Sequence, residues 1–192
     1  MRIDRFGNEL MDKFARVAPP CLVGFAGHIL FWPIAGSQYL LSRLGLFQWY
    51  SEVYKSPNGG RILLGGIPWP ESTRQKLLKD EKVSAVINLV SEKSFPFSVS
   101  KRIDVPLVDF AHPDKSTIEP AVKFLDKCVA DGETVYVHCR AGKGRSATVV
   151  MCWLVSRMNM DPVTAQEYLT LKRPQILQSL KDRKVVREFY NK

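Results

Sequence analysis

One stretch of this chain constrains its fold more than any other. Thr134-Val135-Tyr136-Val137 is a β-rich run that leads straight into His138-Cys139-Arg140-Ala141-Gly142-Lys143-Gly144-Arg145-Ser146. From Ser146 to Arg157 the apolar residues Val149, Val150, Trp153 and Leu154 fall at helical spacing. The segment therefore predicts a strand, a tight turn and a helix. A loop that opens a helix aims several backbone N–H groups at its centre and forms an anion cradle. Gly142 and Gly144 let the backbone turn and approach a ligand. Arg145 can fork onto two oxygens of a phosphate. The same positive field favours a thiolate at Cys139, which makes it a candidate nucleophile. Ser146 can hydrogen-bond that sulfur as a departing thiolate, and His138 is expected to order the loop. Arg140 and Lys143 add charge beside Arg145. The expected phosphate-binding set is Arg140, Ala141, Gly142, Lys143, Gly144 and Arg145. Blander alternatives are a small buried hydrophobe for Cys139 and solvent-facing side chains for Arg140 and Lys143. G-x-x-x-x-G-K-[ST] is absent, so the loop is not a nucleoside-triphosphate cradle.

The surrounding pattern alternates strands with helices. Arg61 to Gly65, Val83 to Leu89 and Ile103 to Val108 read as strands. Glu71 to Asp80 reads as a helix, and so does a run from Ser116 that stops at Gly132, with capping-box spacing at Ser116 and Glu119. Asp161-Pro162 caps another helix, and a last one is expected from Ser179 to Tyr190. This predicts an α/β domain with a mostly parallel central sheet flanked by helices.

The chain carries 28 basic and 19 acidic residues, a formal charge of +9. Seven basic and two acidic residues lie between Lys172 and Lys192. Anionic partners follow in general; charge alone does not choose among nucleic acid, anionic lipid, a phosphorylated substrate and a solvated helix face. The four cysteines, Cys21, Cys128, Cys139 and Cys152, form no C-x-x-C pair. A zinc ribbon and a disulfide scaffold are both poorly supported.

The N-terminus differs from the rest. Between Arg16 and Arg43, 26 residues carry no Lys, Arg, Asp or Glu. Pro19, Pro20 and Pro33 argue against one clean membrane span. An interfacial anchor over residues 17–42 fits better, with Trp32, Tyr39, Trp49 and Tyr50 as residue types suited to a membrane boundary. A signal peptide and a buried hairpin compete with it. The expected division is an apolar anchor or targeting segment over 1–45 and a catalytic domain over 46–192.

The loop fits H-C-x-x-G-x-x-R-[ST], which resembles the signature of the protein tyrosine phosphatase superfamily and of its dual-specificity branch. The resemblance implies a dual-specificity-phosphatase-like fold, a cysteine-based phosphatase and no metal or cofactor. It also implies an Asp general acid about 30 residues before the cysteine. Asp109 stands there, with Asp104 and Asp114 as competitors. Most of the chain is similar to the mitochondrial phosphatidylglycerophosphate phosphatase family, through Phe31-Trp32-Pro33, Trp49-Tyr50, Ile62 to Pro68, Tyr136 to Cys139, Arg173-Pro174 and Glu188-Phe189-Tyr190. That family carries an acidic Glu-Glu-Tyr-Glu-like segment where this chain has Asn88 to Lys93, with only Glu92 acidic. The implied substrate is an anionic phospholipid at the mitochondrial inner membrane, with the protein a monomer and nucleic acid not expected. A dual-specificity protein phosphatase, a phosphoinositide phosphatase and a catalytically silent phosphate-binding module remain the alternatives.

Overall fold

The computed structural model describes residue 29 and residues 31–91, 95–109 and 112–191. Helix α1 (Phe31–Arg43) leads to strands β1 (Tyr50–Lys55) and β2 (Arg61–Gly65). Helix α2 (Glu71–Lys79), β3 (Ala85–Val90) and β4 (Lys101–Leu107) follow. Then come α3 (Lys115–Ala130), β5 (Thr134–His138), α4 (Arg145–Arg157) and α5 (Pro162–Lys172). A short 3-10 turn (Leu180–Asp182) and α6 (Lys184–Tyr190) end the chain.

The sheet order is β1-β2-β5-β3-β4. β2, β5, β3 and β4 run parallel, while β1 is antiparallel to β2. The sheet is thus mixed, with its antiparallel pair at one edge. Alternation along the strands sends side chains to opposite faces. Ile62, Leu64, Ile87, Val135 and Val137 join the large core formed with α3, α4, α5 and α6. Leu63, Val86 and Tyr136 face the other way and pack with Leu77 of α2 and Phe97. Helices therefore cover both faces, and α4 is buried along nearly its whole length.

Two sequence expectations move. Helix α3 is capped by Asp114, whose side chain accepts from the Thr117 N–H at 2.8 Å, and not by a Ser116–Glu119 box. The last helix is broken, because the 3-10 turn precedes Arg183 and α6 begins only at Lys184. Pro33 falls in the first turn of α1, where a missing N–H costs nothing. Half of the anchor expected over 17–42 lies outside the described residues. Its described part, α1, buries Phe31 and Ala35 against Trp49, Ile67, Val90 and Phe95. Among the described residues no helix is long and apolar enough to cross a membrane.

The C-terminal ends of the four parallel strands meet along one edge, the usual place for a ligand in a sheet of this kind. Tyr136 pins that edge from below. Its hydroxyl donates to the Gly66 carbonyl at 2.6 Å within the core. Tyr136→Phe removes the donor and leaves a buried carbonyl without it, at a cost of about 1–3 kcal/mol. Urea unfolding should show that loss; an unchanged midpoint would mean that the bond contributes nothing.

Candidate active site

The loop between β5 and α4 is built from outside inward. The carbonyls of residues 140–144 are each held by a donor outside the cradle. The Arg140 carbonyl accepts from the Ile67 N–H at 3.2 Å, and the Lys143 carbonyl from the Leu177 N–H at 3.0 Å. The Gly144 carbonyl accepts from the Thr148 N–H and hydroxyl, both at 2.9 Å. The Ala141 and Gly142 carbonyls accept from the Arg173 guanidinium at 3.2 and 2.9 Å. A trans peptide is planar, so its N–H points opposite its C=O. With the carbonyls of residues 140–144 turned out, the N–H groups of residues 141–145 turn in. Gly142 makes the turn possible. Its φ is +69°, and a Cβ there would stand 2.4 Å from the Gly65 carbonyl carbon.

Arg173 is the residue that sequence reasoning missed, beyond noting its Arg-Pro pair. It is wholly buried. Besides the two loop carbonyls, it donates to the Gln48 and Trp49 carbonyls and the Ser51 hydroxyl at 3.1–3.2 Å. All five contacts are to neutral oxygens. Burial holds its guanidinium down at about 10, still charged at neutral pH. One buried cation thereby ties the loop to the turn before β1.

Inside the cradle, Cys139 is 3% exposed, and the Ser146 hydroxyl donates to its Sγ at 3.2 Å. Burial alone would push the thiol up. The Arg145 guanidinium, the Ser146 hydroxyl and the Ser146 backbone outweigh it and hold the thiol below its ordinary value, with the Asp109 carboxylate opposing them. Arg145 begins α4 and is itself buried. Its Nη1 donates to the Leu107 carbonyl at 2.7 Å and to the Leu89 carbonyl at 3.4 Å. The ends of β4 and β3 thus orient the guanidinium.

Asp109 follows β4 and reaches the same pocket. Its carboxylate lies 3.1 Å from Arg145 Nε and 2.5 Å from Arg140 Nη2. The competitors are spent elsewhere. Asp104 accepts from Arg102 and Asn88, and Asp114 caps α3. Arg140 and Lys143 are buried pocket residues, not solvent-facing ones. Lys143 Nζ sits 5.0 Å from the centre of the Phe47 ring. His138 is buried and stacked on Tyr136, with ring centres 5.5 Å apart. Burial pushes its pKa down to about 3, so its ring is neutral at working pH. Ile34 and Gln38 of α1 close the far wall of the pocket, a contribution no local motif could announce.

The arrangement can bind a tetrahedral oxyanion on five amides and a guanidinium, with a sulfur nucleophile beneath it. A thiol held low stays ionised to lower pH, so alkylation by iodoacetate should persist below the usual thiol midpoint. Arg173→Lys keeps the charge but loses the fork. It should move the Cys139 alkylation midpoint upward as the amides turn away. An ordinary midpoint in the native protein, or no movement in the variant, would contradict this geometry.

Comparison with known proteins agrees with the geometry. Residues 67–192 match the family model described as "Dual specificity phosphatase, catalytic domain". The chain is 34% identical over 179 residues to the Arabidopsis thaliana phosphatidylglycerophosphate phosphatase PTPMT1, covering 88% of this chain and 51% of that protein. It is also 34% identical to Arabidopsis thaliana PTPMT2, a phosphatidylglycerophosphate phosphatase, covering 90% of this chain and 76% of that protein. The chain thus spans about half the length of the first relative and about three quarters of the second. A crystal structure of PTPMT1 in complex with PI(5)P superposes with a TM-score of 0.62 at 28% identity, over 75% of this chain and 96% of that one. The family model covers residues 67–192, well over half of the chain, and the chain belongs to the dual specificity phosphatase catalytic-domain family.

Proposed function

We propose that this protein is a cysteine-dependent phosphomonoester hydrolase that converts phosphatidylglycerophosphate to phosphatidylglycerol, on the route to cardiolipin. The observation that carries the reading is the Cys139 sulfur, which accepts a hydrogen bond from the Ser146 hydroxyl and is set in a ring of inward amides beside Arg145. The substrate reading is supported by the two relatives that bear the name phosphatidylglycerophosphate phosphatase.

The terminal phosphate docks on the amides of residues 141–145 and on Arg145, and takes over the guanidinium from Asp109. Cys139 attacks phosphorus in line while the bond to the leaving oxygen breaks. Asp109, once freed from that guanidinium and protonated from solvent, gives the proton to the leaving oxygen. Water then attacks the phosphocysteine, Asp109 takes the proton back, and the sulfur leaves as a thiolate steadied by the Ser146 hydroxyl. Charge stabilisation by the amides and Arg145 is the main catalytic effect. His138, neutral and buried, holds the loop. Arg140 and Lys143 raise the affinity for a substrate with more than one anionic group.

We assign residues 46–192 to catalysis and residues 1–45 to membrane attachment, at the mitochondrial inner membrane, by a monomer. In support, α1 and its flank expose Trp32, Leu40, Leu44 and Leu46, with Trp69 beside them. The same helix walls the pocket with Ile34 and Gln38. A lipid headgroup would enter beside an apolar ridge able to dip into the interface. Co-sedimentation with anionic vesicles should fall when Trp32 and Leu40 are replaced by Asp; unaltered binding would remove the docking role.

Phosphate release from phosphatidylglycerophosphate, phosphoinositides and phosphopeptides, measured in parallel, tests the substrate. Phosphatidylglycerophosphate should be hydrolysed fastest; preference for phosphopeptides would overturn the lipid reading. Cys139→Ser should abolish release in every case. Asp109→Asn should lower turnover by about two to four orders of magnitude with substrate still bound, and wild-type rates in that variant would move the acid elsewhere.

A further inference from the structure

Asp109 and Arg140 reach the pocket from different loops, and the pair they form there is nearly closed to solvent. Asp109 Oδ2 lies 2.5 Å from Arg140 Nη2, with the two side chains 14% and 6% exposed. Asp109 Oδ1 lies 3.1 Å from Nε of Arg145, whose side chain is 1% exposed. Each carboxylate oxygen thus faces a different guanidinium. Arg140 is itself anchored, because it follows Cys139 directly and its carbonyl accepts from the Ile67 N–H at 3.2 Å. Among the described residues, the other charged groups lining the pocket are the Cys139 thiolate, Lys143 and Arg183, and both of those cations are buried.

The two ion pairs meet different fates when a phosphate docks. Arg145 forks onto phosphate oxygens and gives up Oδ1. Oδ1, which faced the phosphate-binding guanidinium, is left facing the docked phosphate, and it takes the proton that the leaving oxygen needs. A neutral carboxyl still accepts a hydrogen bond through its other oxygen, so Oδ2 stays on Arg140. As the P–O bond breaks, its electron pair goes to the leaving oxygen, which gains the proton from Oδ1. In the second step water bonds to phosphorus and gives its proton to the same Oδ1, and the S–P electron pair returns to sulfur. An acid must lie within hydrogen-bond reach of the oxygen it protonates, so a carboxyl free to swing would be in place for only part of the time.

We propose that Arg140 is a positioning residue for the general acid: it holds Asp109 by Oδ2 through both steps and leaves Oδ1 to carry the proton. The proposal rests on the hydrolase reading above and adds to it a task for Arg140 separate from its charge beside the phosphate. It does not depend on which leaving group the natural substrate carries, lipid or otherwise.

Phenyl phosphate and p-nitrophenyl phosphate separate the two tasks. Phenolate leaves poorly without a proton, while p-nitrophenolate leaves readily as the anion. For each ester, kcat/KM measured on the full chain reads the step in which Cys139 is phosphorylated. Arg140→Gln should raise the ratio of p-nitrophenyl to phenyl phosphate kcat/KM by roughly tenfold, with Arg140→Lys between it and the native protein. In an Asp109→Asn background, where the ratio is already high, the same substitution should leave it unchanged. A residue that only binds phosphate or supports the loop would slow both esters alike. A ratio unmoved or lowered by Arg140→Gln, or raised equally with and without Asp109, overturns the positioning role while the hydrolase reading stands. No release from either ester by the native protein overturns the hydrolase reading, and the positioning role with it.

Discussion

The active-site loop depends on where its carbonyls go. Five consecutive peptide oxygens, from Arg140 to Gly144, are each claimed by a donor outside the cradle. The amides are left facing a common centre. Two of the five oxygens belong to Arg173, a buried cation whose partners are all neutral. Burying an arginine without a carboxylate is costly. Five hydrogen bonds to neutral oxygens offset that cost. Its charge also reinforces the field that favours thiolate at Cys139. Structure and electrostatics are here the same interaction.

The sheet supplies the rest of the precision. β5 delivers Cys139 at its end, and β3 and β4 present the Leu89 and Leu107 carbonyls that aim Arg145. Asp109 arrives two residues beyond β4. Residues from three strands and a helix thus meet at one edge of the sheet, where β3 and β5 are buried along their whole length. A site carried on such elements has little freedom to relax. His138, neutral and buried, ends β5 beside Asn88 of β3, whose side chain donates to Asp104 of β4.

Local pattern made much of this legible in the sequence, and long-range contact hid the remainder. The strand–loop–helix unit could be read because glycines, a terminal arginine and apolar periodicity all lie within 24 residues, Thr134–Arg157. Asp109 could be placed by spacing, since a parallel strand brings its end to the same edge. The antiparallel edge strand β1 carries mixed polarity and escaped the pattern. Asp114 outcompeted Ser116 as cap because its carboxylate reaches both the Thr117 N–H and hydroxyl. Arg173 and Arg183 look like members of a solvated basic run. Their burial depends on folding the chain end back over the loop, which no window of sequence contains. Gln38 and Ile34 are hidden for the same reason, being about 100 residues from the cysteine they face.

The most direct measurement is a crystal structure of the full chain soaked with vanadate. The account predicts vanadium bonded to Cys139 Sγ, with its equatorial oxygens on the amides of residues 141–145 and on Arg145, and Arg173 still on the Ala141 and Gly142 carbonyls. Vanadate absent from the loop, or bound there with those carbonyls turned inward, would contradict it.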